Sequence, residues 1–567
     1  MQARVKLAYV FLMLFGGILI VRLFFLQVAN RNYYKNLADR QYLNTASSEF
    51  SRGSIFFTER GGRLISAASL KRGHFLAMNP KMIESPEETF KKISAILPQL
   101  DREDFLRKAG KKSDPYEEIA HYLNQDEADK IKNFSLAGID IYPEAWRFYP
   151  GGNLASQVLG FIGFEGNGLA GKYGLEKKYE STLARREVGG RNTNSFFEIF
   201  IEAKKKIWSS DGEEGDLVLT IDPQAQLFLD KQIQELLRSY SAESAGGIIL
   251  EPLSGKILAM SGKPDFNPND YKSVKDLSTF LNPNVQSVFE MGSIAKPLTL
   301  AAALNEGKII PETTYYDEGS LTINSRKISN FDGKARGTVD MQEVLNQSIN
   351  TGAVFAMRSL GKEKFRDYMF SYGFGERTGI DLPDEVSGLV TNLNSPREVE
   401  YATASFGQGI AVSPIQMATA LASLGNGGVL MKPYVVEKIE VPGGKDIVTV
   451  PEERHRVIKE ETSRTITKML VTVVDKALLG GTVKLDHYSV AAKTGTAQIR
   501  EAGGKGYYED LYFHTFFGYA PAMNPKFLVF LYVNKPLGVN FASHSLTNPF
   551  IKIVKFLINY YEIPPDR

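Results

Sequence analysis

The 567-residue chain has no cysteine, two tryptophans, six histidines and almost no net charge. Without cysteine there is no thiol nucleophile, no Cys-ligated zinc, no iron–sulfur cluster and no disulfide framework. Cysteine-free usage alone does not separate a cytosolic chain from an exported one. Lys+Arg number 67 against 65 Asp+Glu, a formal charge of +2, so no bulk field favours nucleic acid. His74, His121, His455, His487, His514 and His544 have no close metal-ligand spacing and read as structural or surface residues. Neither H-E-x-x-H nor G-x-S-x-G occurs, so zincin and α/β-hydrolase readings lack their anchors. No internal repeat, no low-complexity tract and no metal or cofactor motif is found. Composition is that of a folded protein, 43% hydrophobic and 23% charged, and the length implies more than one domain.

Long apolar runs are also scarce: there is one. Leu7 to Leu26 (LAYVFLMLFGGILIVRLFFL) carries a single charge, Arg22. At 1.5 Å per residue it reaches roughly 30 Å, the thickness of a hydrocarbon core. Bulky Phe24, Phe25 and Leu26 stand where a signal peptidase wants small residues, so the run reads as an uncleaved signal anchor. Arg4 and Lys6 precede it and Arg31, Lys35 and Arg40 follow, so positive-inside counting leaves the orientation open.

The rest divides by pattern. The expected boundaries are an anchor at 1–29, a pedestal at 30–215 and a larger domain at 216–567. Residues 30–50 read as a stalk, 81–135 as charged helices, and 191–215 as a boundary ending in an acidic Gly-bearing turn. Beyond it, apolar spacing predicts a helix over Gln224–Ser241 and strands over Gly246–Leu250 and Lys256–Ser261. Three more strands are predicted at Tyr488–Thr494, Phe513–Ala520 and Phe527–Val533, then an amphipathic helix over Pro549–Glu562. This order gives an α+β fold: an antiparallel sheet with the terminal helices on one face and an all-α lobe inserted between strands two and three. Gly166-Asn-Gly168-Leu-Ala-Gly171 has the G-x-G-x-x-G spacing, but no βαβ unit surrounds it and Tyr173 stands where a P-loop needs a hydroxyl, so it reads as a Gly-rich turn.

Three short motifs carry chemistry: Ser293-Ile-Ala-Lys296, Ser348-Ile-Asn350 and Lys493-Thr494-Gly495-Thr496. Each is weak alone; in this order they are a strong signal for a serine acyl-transferase. A second S-x-x-K, Ser359-Leu-Gly-Lys362, carries Gly361 where a helix should end and reads as chance. Gly292 and the apolar run Ile294–Leu304 place Ser293 at a helix start, and Lys296, three residues on, shares its face. Lysine can take the serine proton only when neutral; burial and a second cation nearby both push its pKa down, and Lys493 is a candidate for that cation. A loop between helical stretches Val339–Gln347 and Thr351–Leu360 can aim Ser348 as a proton relay and Asn350 at a substrate amide. Gly495 leaves room for a substrate backbone along a strand edge, while Thr494, Thr496 and Lys493 offer two hydroxyls and an ammonium to a carboxylate. The N–H groups of Ser293 and Thr496 can form an oxyanion hole, worth about 3–4 kcal/mol per donor in acyl transfer.

These motifs resemble those of class B penicillin-binding proteins, monofunctional peptidoglycan D,D-transpeptidases, and the likeness runs along nearly the whole chain. Arg52-Gly-Ser-Ile-Phe-Phe-Thr-Glu-Arg60-Gly-Gly-Arg-Leu is similar to the family's R-G-x-I-x-D-R-x-G-x-x-L signature, with Glu59 for the usual Asp and slightly longer spacing. Arg147-Phe-Tyr-Pro-Gly151 and Gly174-Leu-Glu176 resemble further pedestal motifs. Thr220-Ile-Asp222 with Gln226, Leu253–Met260, and Phe406-Gly-Gln-Gly409 with Ser413-Pro-Ile-Gln416 resemble transpeptidase segments. The resemblance implies a penicillin-binding, serine β-lactamase-like domain of five antiparallel strands. It implies attack by Ser293 on the penultimate D-Ala carbonyl, release of D-Ala, transfer to a neighbouring stem peptide, and acylation of the same serine by β-lactams. It further implies an inner-membrane anchor with the enzyme outside, and a SEDS-family glycosyltransferase and other divisome membrane proteins as partners. Ser348-x-Asn350 and Lys493-Thr-Gly look more like the division (FtsI-like) group than the elongation group, which often has Asp in the second motif and Ser in the third. A β-lactamase or β-lactam sensor shares the motifs, but no convincing E-x-x-L-N deacylation loop is found and so large a pedestal has no use there. A catalytically silent divisome scaffold would not need intact Ser293, Lys296 and Lys493.

Overall fold

The computed structural model describes residues 13, 15–17, 22, 50–165, 168–185, 214–501, 503 and 506–567. The apolar run Leu7–Leu26, the stalk and the boundary segment lie almost wholly outside them. Among the described residues no helix is long and apolar enough to cross a membrane. The chain forms two compact units. Among the described residues, one holds Leu70–Trp146; the other holds Arg52–Ser69 and the described residues from Arg147 onward.

In the smaller unit the charged stretch is helical where its spacing predicts, except that Glu117–Leu123 is a strand paired with His74–Met78. Helices Pro86–Ser94, Arg102–Ala109 and Gln125–Asn133 turn Ile93, Phe105 and Ile131 onto a core with Leu76, Met78 and Leu123. Asp101 caps the second helix, and Asn124 with Glu127 forms a capping box on the third. Each such cap is worth about 1 kcal/mol.

The larger unit is centred on a five-stranded sheet. Helix α1 (Pro223–Ser239) leads into strands β1 (Ser244–Leu250) and β2 (Ile257–Lys263). After a long insertion come β3 (Ala491–Arg500), β4 (Tyr507–Ala520), β5 (Phe527–Asn534) and helix α4 (Thr547–Tyr560). All neighbours are antiparallel and the order is β3-β4-β5-β1-β2. One face takes α1 and α4, where Leu229, Ile233, Val554 and Leu557 pack on Ile249, Phe516, Val529 and Leu531. Phe228 and Phe556 stack with centroids 4.2 Å apart between the two helices. The other face, with Ile248, Phe517, Phe530 and Tyr532, meets the inserted lobe. Both faces are covered, which is why β5 reads as an unbroken apolar run rather than an alternation.

The lobe is not all-α, which corrects the expectation. Helices α2 (Lys296–Asn305) and α3 (Asn350–Leu360) are accompanied by strand pairs Thr314–Asp317 with Gly337–Asp340, and Ser320–Ile323 with Arg326–Ser329. The second pair turns through Asn324 and Ser325, both at positive φ (47° and 63°), the two-residue turn whose twist suits a hairpin. Only Leu321-Thr322-Ile323 alternates at period two and Arg326-Lys327-Ile328 does not, so these short strands do not stand out beside long helical runs.

Residues on either side of the smaller unit meet in the larger one. Ile55–Thr58 pairs with Leu64–Ala68 and, in parallel, with Leu217–Val218. The Glu176 carboxylate, fully buried, accepts from Arg52 Nε (2.6 Å), Arg147 Nε (2.6 Å) and Tyr149 OH (3.1 Å). Burial works against the charged form of Glu176, but the two guanidiniums outweigh it and hold its pKa low. Three sequence motifs thus converge on one carboxylate. In the Gly-rich decoy, Gly168–Gly171 is a strand paired with Ile162–Glu165, with Gly166 and Asn167 outside the described residues.

Candidate active site

Ser293 lies in a 3-10 turn, Gly292–Ala295, one turn ahead of α2 rather than in its first α-helical turn; Lys296 opens the helix. Pro297 falls in that first turn, where its missing N–H costs nothing. The turn holds Lys296 Nζ 2.9 Å from Ser293 Oγ. Lys296 is fully buried, and the helix it opens is buried from Lys296 to Ala303.

The second motif arrives from the far side. Ser348 sits just before α3, and Asn350 is that helix's first residue. Lys296 Nζ lies 2.5 Å from Ser348 O and 3.1 Å from Ser348 Oγ. Lys493, on edge strand β3 and 3% exposed, reaches the same hydroxyl: its Nζ lies 3.0 Å from Ser348 Oγ and 2.9 Å from Thr494 O. Ser348 Oγ therefore bridges two lysine nitrogens.

The electrostatics follow from burial. Desolvation first, then repulsion from Lys493, pushes the Lys296 pKa well below the lysine range. Burial alone brings Lys493 down to about 7. A neutral Lys296 has two protons and one lone pair. The carbonyl of Ser348 can only accept, so it takes one proton; Ser348 Oγ takes the other; the lone pair then faces the Ser293 hydroxyl. This is the arrangement a general base requires.

Strand β3 is locked to the nucleophile's turn. Thr515, opposite Gly495 in the ladder, donates from Oγ1 to Met291 O at 2.8 Å. A Cβ on Gly495 would run into Thr515 Oγ1 and meet Met291 O at 2.9 Å and Ile294 N at 3.0 Å. The glycine therefore faces inward, towards the protein's own backbone, which corrects the reading that it clears space for substrate. Thr496 Oγ1 accepts from Ala542 N at 3.1 Å, leaving its proton for a ligand. Asn350 Nδ2 is committed to Ser329 O at 2.9 Å, leaving Oδ1 as an acceptor for a ligand amide N–H. Ser359, in the stray S-x-x-K, bonds back into its own helix at Phe355 O, 2.9 Å away.

Sequence reasoning gave no role to Gly407. Its carbonyl accepts from Gly292 N at 3.0 Å, its φ is +80°, and a Cβ there would collide with the Gly292 carbonyl. The Phe406–Gly409 segment is thus the backing plate of the nucleophile's turn. The signal was present as two glycines in a quoted motif, but its purpose needed the contact.

Comparison with known proteins follows this geometry. Residues 245–555 match the penicillin binding protein transpeptidase domain, and residues 48–194 match the penicillin-binding protein dimerisation domain. The chain is 32% identical over 552 residues to stage V sporulation protein D of Bacillus subtilis, covering 94% of this chain and 82% of the relative. It is 28% identical over 567 residues to the peptidoglycan D,D-transpeptidase FtsI of Buchnera aphidicola, covering 98% and 94%. Its fold is shared with penicillin binding protein 3 of Mycobacterium tuberculosis, solved with aztreonam (TM-score 0.69, 23% identity, 92% and 98% covered). With the serine, its buried lysine and the edge-strand lysine around one hydroxyl, and both domain models matched in order, the chain belongs to the penicillin-binding protein transpeptidase family, in the class B arrangement.

Proposed function

We propose that the protein is a peptidoglycan D,D-transpeptidase that cross-links stem peptides through a Ser293 acyl-enzyme. The observation that carries this is the buried Lys296 amine 2.9 Å from Ser293 Oγ, kept neutral by its surroundings. Lys296 takes the serine proton as Oγ attacks the penultimate D-Ala carbonyl. The N–H groups of Ser293 and Thr496 receive the oxyanion. Ser348 Oγ, between the two lysines, relays the proton to the leaving D-Ala nitrogen. Lys493, Thr494 and Thr496 hold the terminal carboxylate across the inward-facing Gly495, and Asn350 accepts from a substrate amide. An amine of a neighbouring stem then takes the acyl group, and β-lactams acylate the same serine.

The chain works from the outer face of the inner membrane, held by the apolar run at 7–26, with a pedestal at 30–215 and the transpeptidase at 216–567. Its role is septal: the second and third motifs and the FtsI-named relatives support division over elongation. A SEDS-family glycosyltransferase and other divisome membrane proteins are its partners. The test is incubation of the full chain, in detergent, with a fluorescent penicillin. A stable label, lost in Ser293→Ala, is expected. Rapid release would instead mean a β-lactamase, and no label would sink the enzyme reading.

A further inference from the structure

Outside the three motifs, the lobe contains a buried polar cluster ending beside Ser348. Asp317, fully buried, closes one strand of the first hairpin. Its carboxylate accepts from Gly319 N (3.0 Å), Arg336 N (3.0 Å), Thr351 Oγ1 (2.6 Å) and Asn330 Nδ2 (3.1 and 2.9 Å). Tyr315 OH lies 3.1 Å from Thr351 Oγ1 and donates to it, since the threonine proton is already on Asp317. The contacts of Asn330 leave no ambiguity in its amide. Nδ2 faces acceptors only, the carboxylate and Lys334 O (3.1 Å). Oδ1 faces the backbone N–H of Asn350 (3.1 Å) and Thr351 (3.3 Å).

Those two N–H groups are the open start of α3, where Ile349 has no side-chain oxygen to offer. Asn330 thus caps the helix from another hairpin, and Asp317 aims the cap. Next to it, Ser348 has φ +55°, a conformation costing a non-glycine residue about 1–3 kcal/mol unless its surroundings fix it. Lys296 holds its carbonyl on one side. On the other side Asn350 hangs from Asn330 by its backbone and from Ser329 by its side chain.

We infer that Asp317 and Asn330 are positioning residues for acyl transfer: they clamp the start of α3 so that Ser348 stays left-handed, with its hydroxyl between the two lysines, and Asn350 faces the substrate. Neither touches substrate. Without the clamp Ser348 relaxes, its Oγ leaves Lys296 and Lys493, and the proton path is broken.

The inference rests on the roles assigned to Ser348 and Asn350. Labelling of the wild type and its loss in Ser293→Ala test that enzyme reading separately. For the clamp, the acylation rate constant of the full chain with fluorescent penicillin is measured from pH 6 to 10, beside the melting temperature. Asn330→Ala is expected to acylate about 30-fold more slowly. Its pH profile should be displaced, because the titratable groups facing Ser348 Oγ, Lys296 and Lys493, no longer share it. Asn330→Asp sets two carboxylates in contact and should be as poor. A purely structural role predicts something else: a lower melting temperature with the folded enzyme keeping the wild-type pH profile. That outcome, or Asn330→Ala acylating within about threefold of wild type, overturns the inference. Should Asn330→Ala not fold, Thr351→Val removes only the hydroxyl on Asp317. It should shift the pH profile away from that of the wild type, and an unshifted profile overturns the inference.

Discussion

Lys493→Met should abolish acylation and remove a pH dependence from the protein's stability. Lys493 is 3% exposed, and burial takes its pKa from the ordinary 10.5 down to about 7. Between those values the unfolded chain holds a proton that the folded chain does not. Wild-type stability therefore rises with pH across that window. Methionine fills much the same space and binds no proton, so the variant lacks this slope. The stability difference, variant minus wild type, should shrink by about 1.4 kcal/mol per pH unit, or about 2–3 kcal/mol between pH 7 and 9. Two hydrogen bonds are lost with the amine, to Ser348 Oγ and Thr494 O. They offset the relief of burial by about 0.5–1.5 kcal/mol each at every pH, so the slope and not the absolute shift is diagnostic. Lys296 titrates in both proteins and its contribution largely cancels. Scanning calorimetry at pH 6, 7, 8 and 9 and constant ionic strength gives the measurement. The melting-temperature gap should narrow by up to about 4–12 °C from pH 7 to 9, taking the about 2–4 °C per kcal/mol of domains of about 150–250 residues. A gap that stays flat or widens would refute the account of Lys493 as a buried, weakly held proton.

Other outcomes follow from the same structure. Glu176→Ala leaves the buried Arg147 guanidinium without its carboxylate and Arg52 with Glu180 alone, and should destabilise the larger unit by about 3–5 kcal/mol, read as a lower melting temperature; an unchanged melt would show that Arg147 finds another partner. Gly407→Ala should cost at least about 2 kcal/mol, from the collision with Gly292 and the positive φ together. It should also slow penicillin acylation, whereas normal labelling would mean the backing segment yields. Wild-type acylation should decline above about pH 7 as Lys493 loses the proton that meets the ligand carboxylate, and a rate constant flat from pH 7 to 9 contradicts that role. Depletion in the cell should remove fluorescent D-amino acid incorporation at the septum; loss confined to the side wall would favour elongation.

The legible part of the molecule is the part written at short range. Ser293 and Lys296 are one turn apart, so their contact could be read from spacing; the strands β1, β2, β4 and β5 contain short apolar runs, and their order identifies the sheet. Lys493 could be named because its motif is compact. What escaped is long-range or depends on which way a side chain points. Gly495 was given the substrate as its neighbour, but Thr515 and the 291–294 turn occupy that side. Asn330 and Asp317 sit in hairpins twenty and more residues from the helix they cap, and an Asn after a short strand looks like any turn residue. The two small strand pairs were lost among helices because four-residue strands carry little periodicity.

The order of strands in the sheet has a kinetic consequence. β1 and β2 leave the ribosome early, yet β1 pairs with β5, and the whole lobe is made between them. At 5–20 residues per second that interval is on the order of tens of seconds. Until β5 arrives, β1 offers an open hydrogen-bonding edge bearing Ile248, Ile249 and Leu250, which are wholly covered only in the finished fold. Contacts of such high sequence separation are formed late and slowly. A nascent or truncated chain ending before β5 is thus an aggregation hazard that needs a holding chaperone, and truncations of the last strands should yield insoluble protein rather than a weakened enzyme.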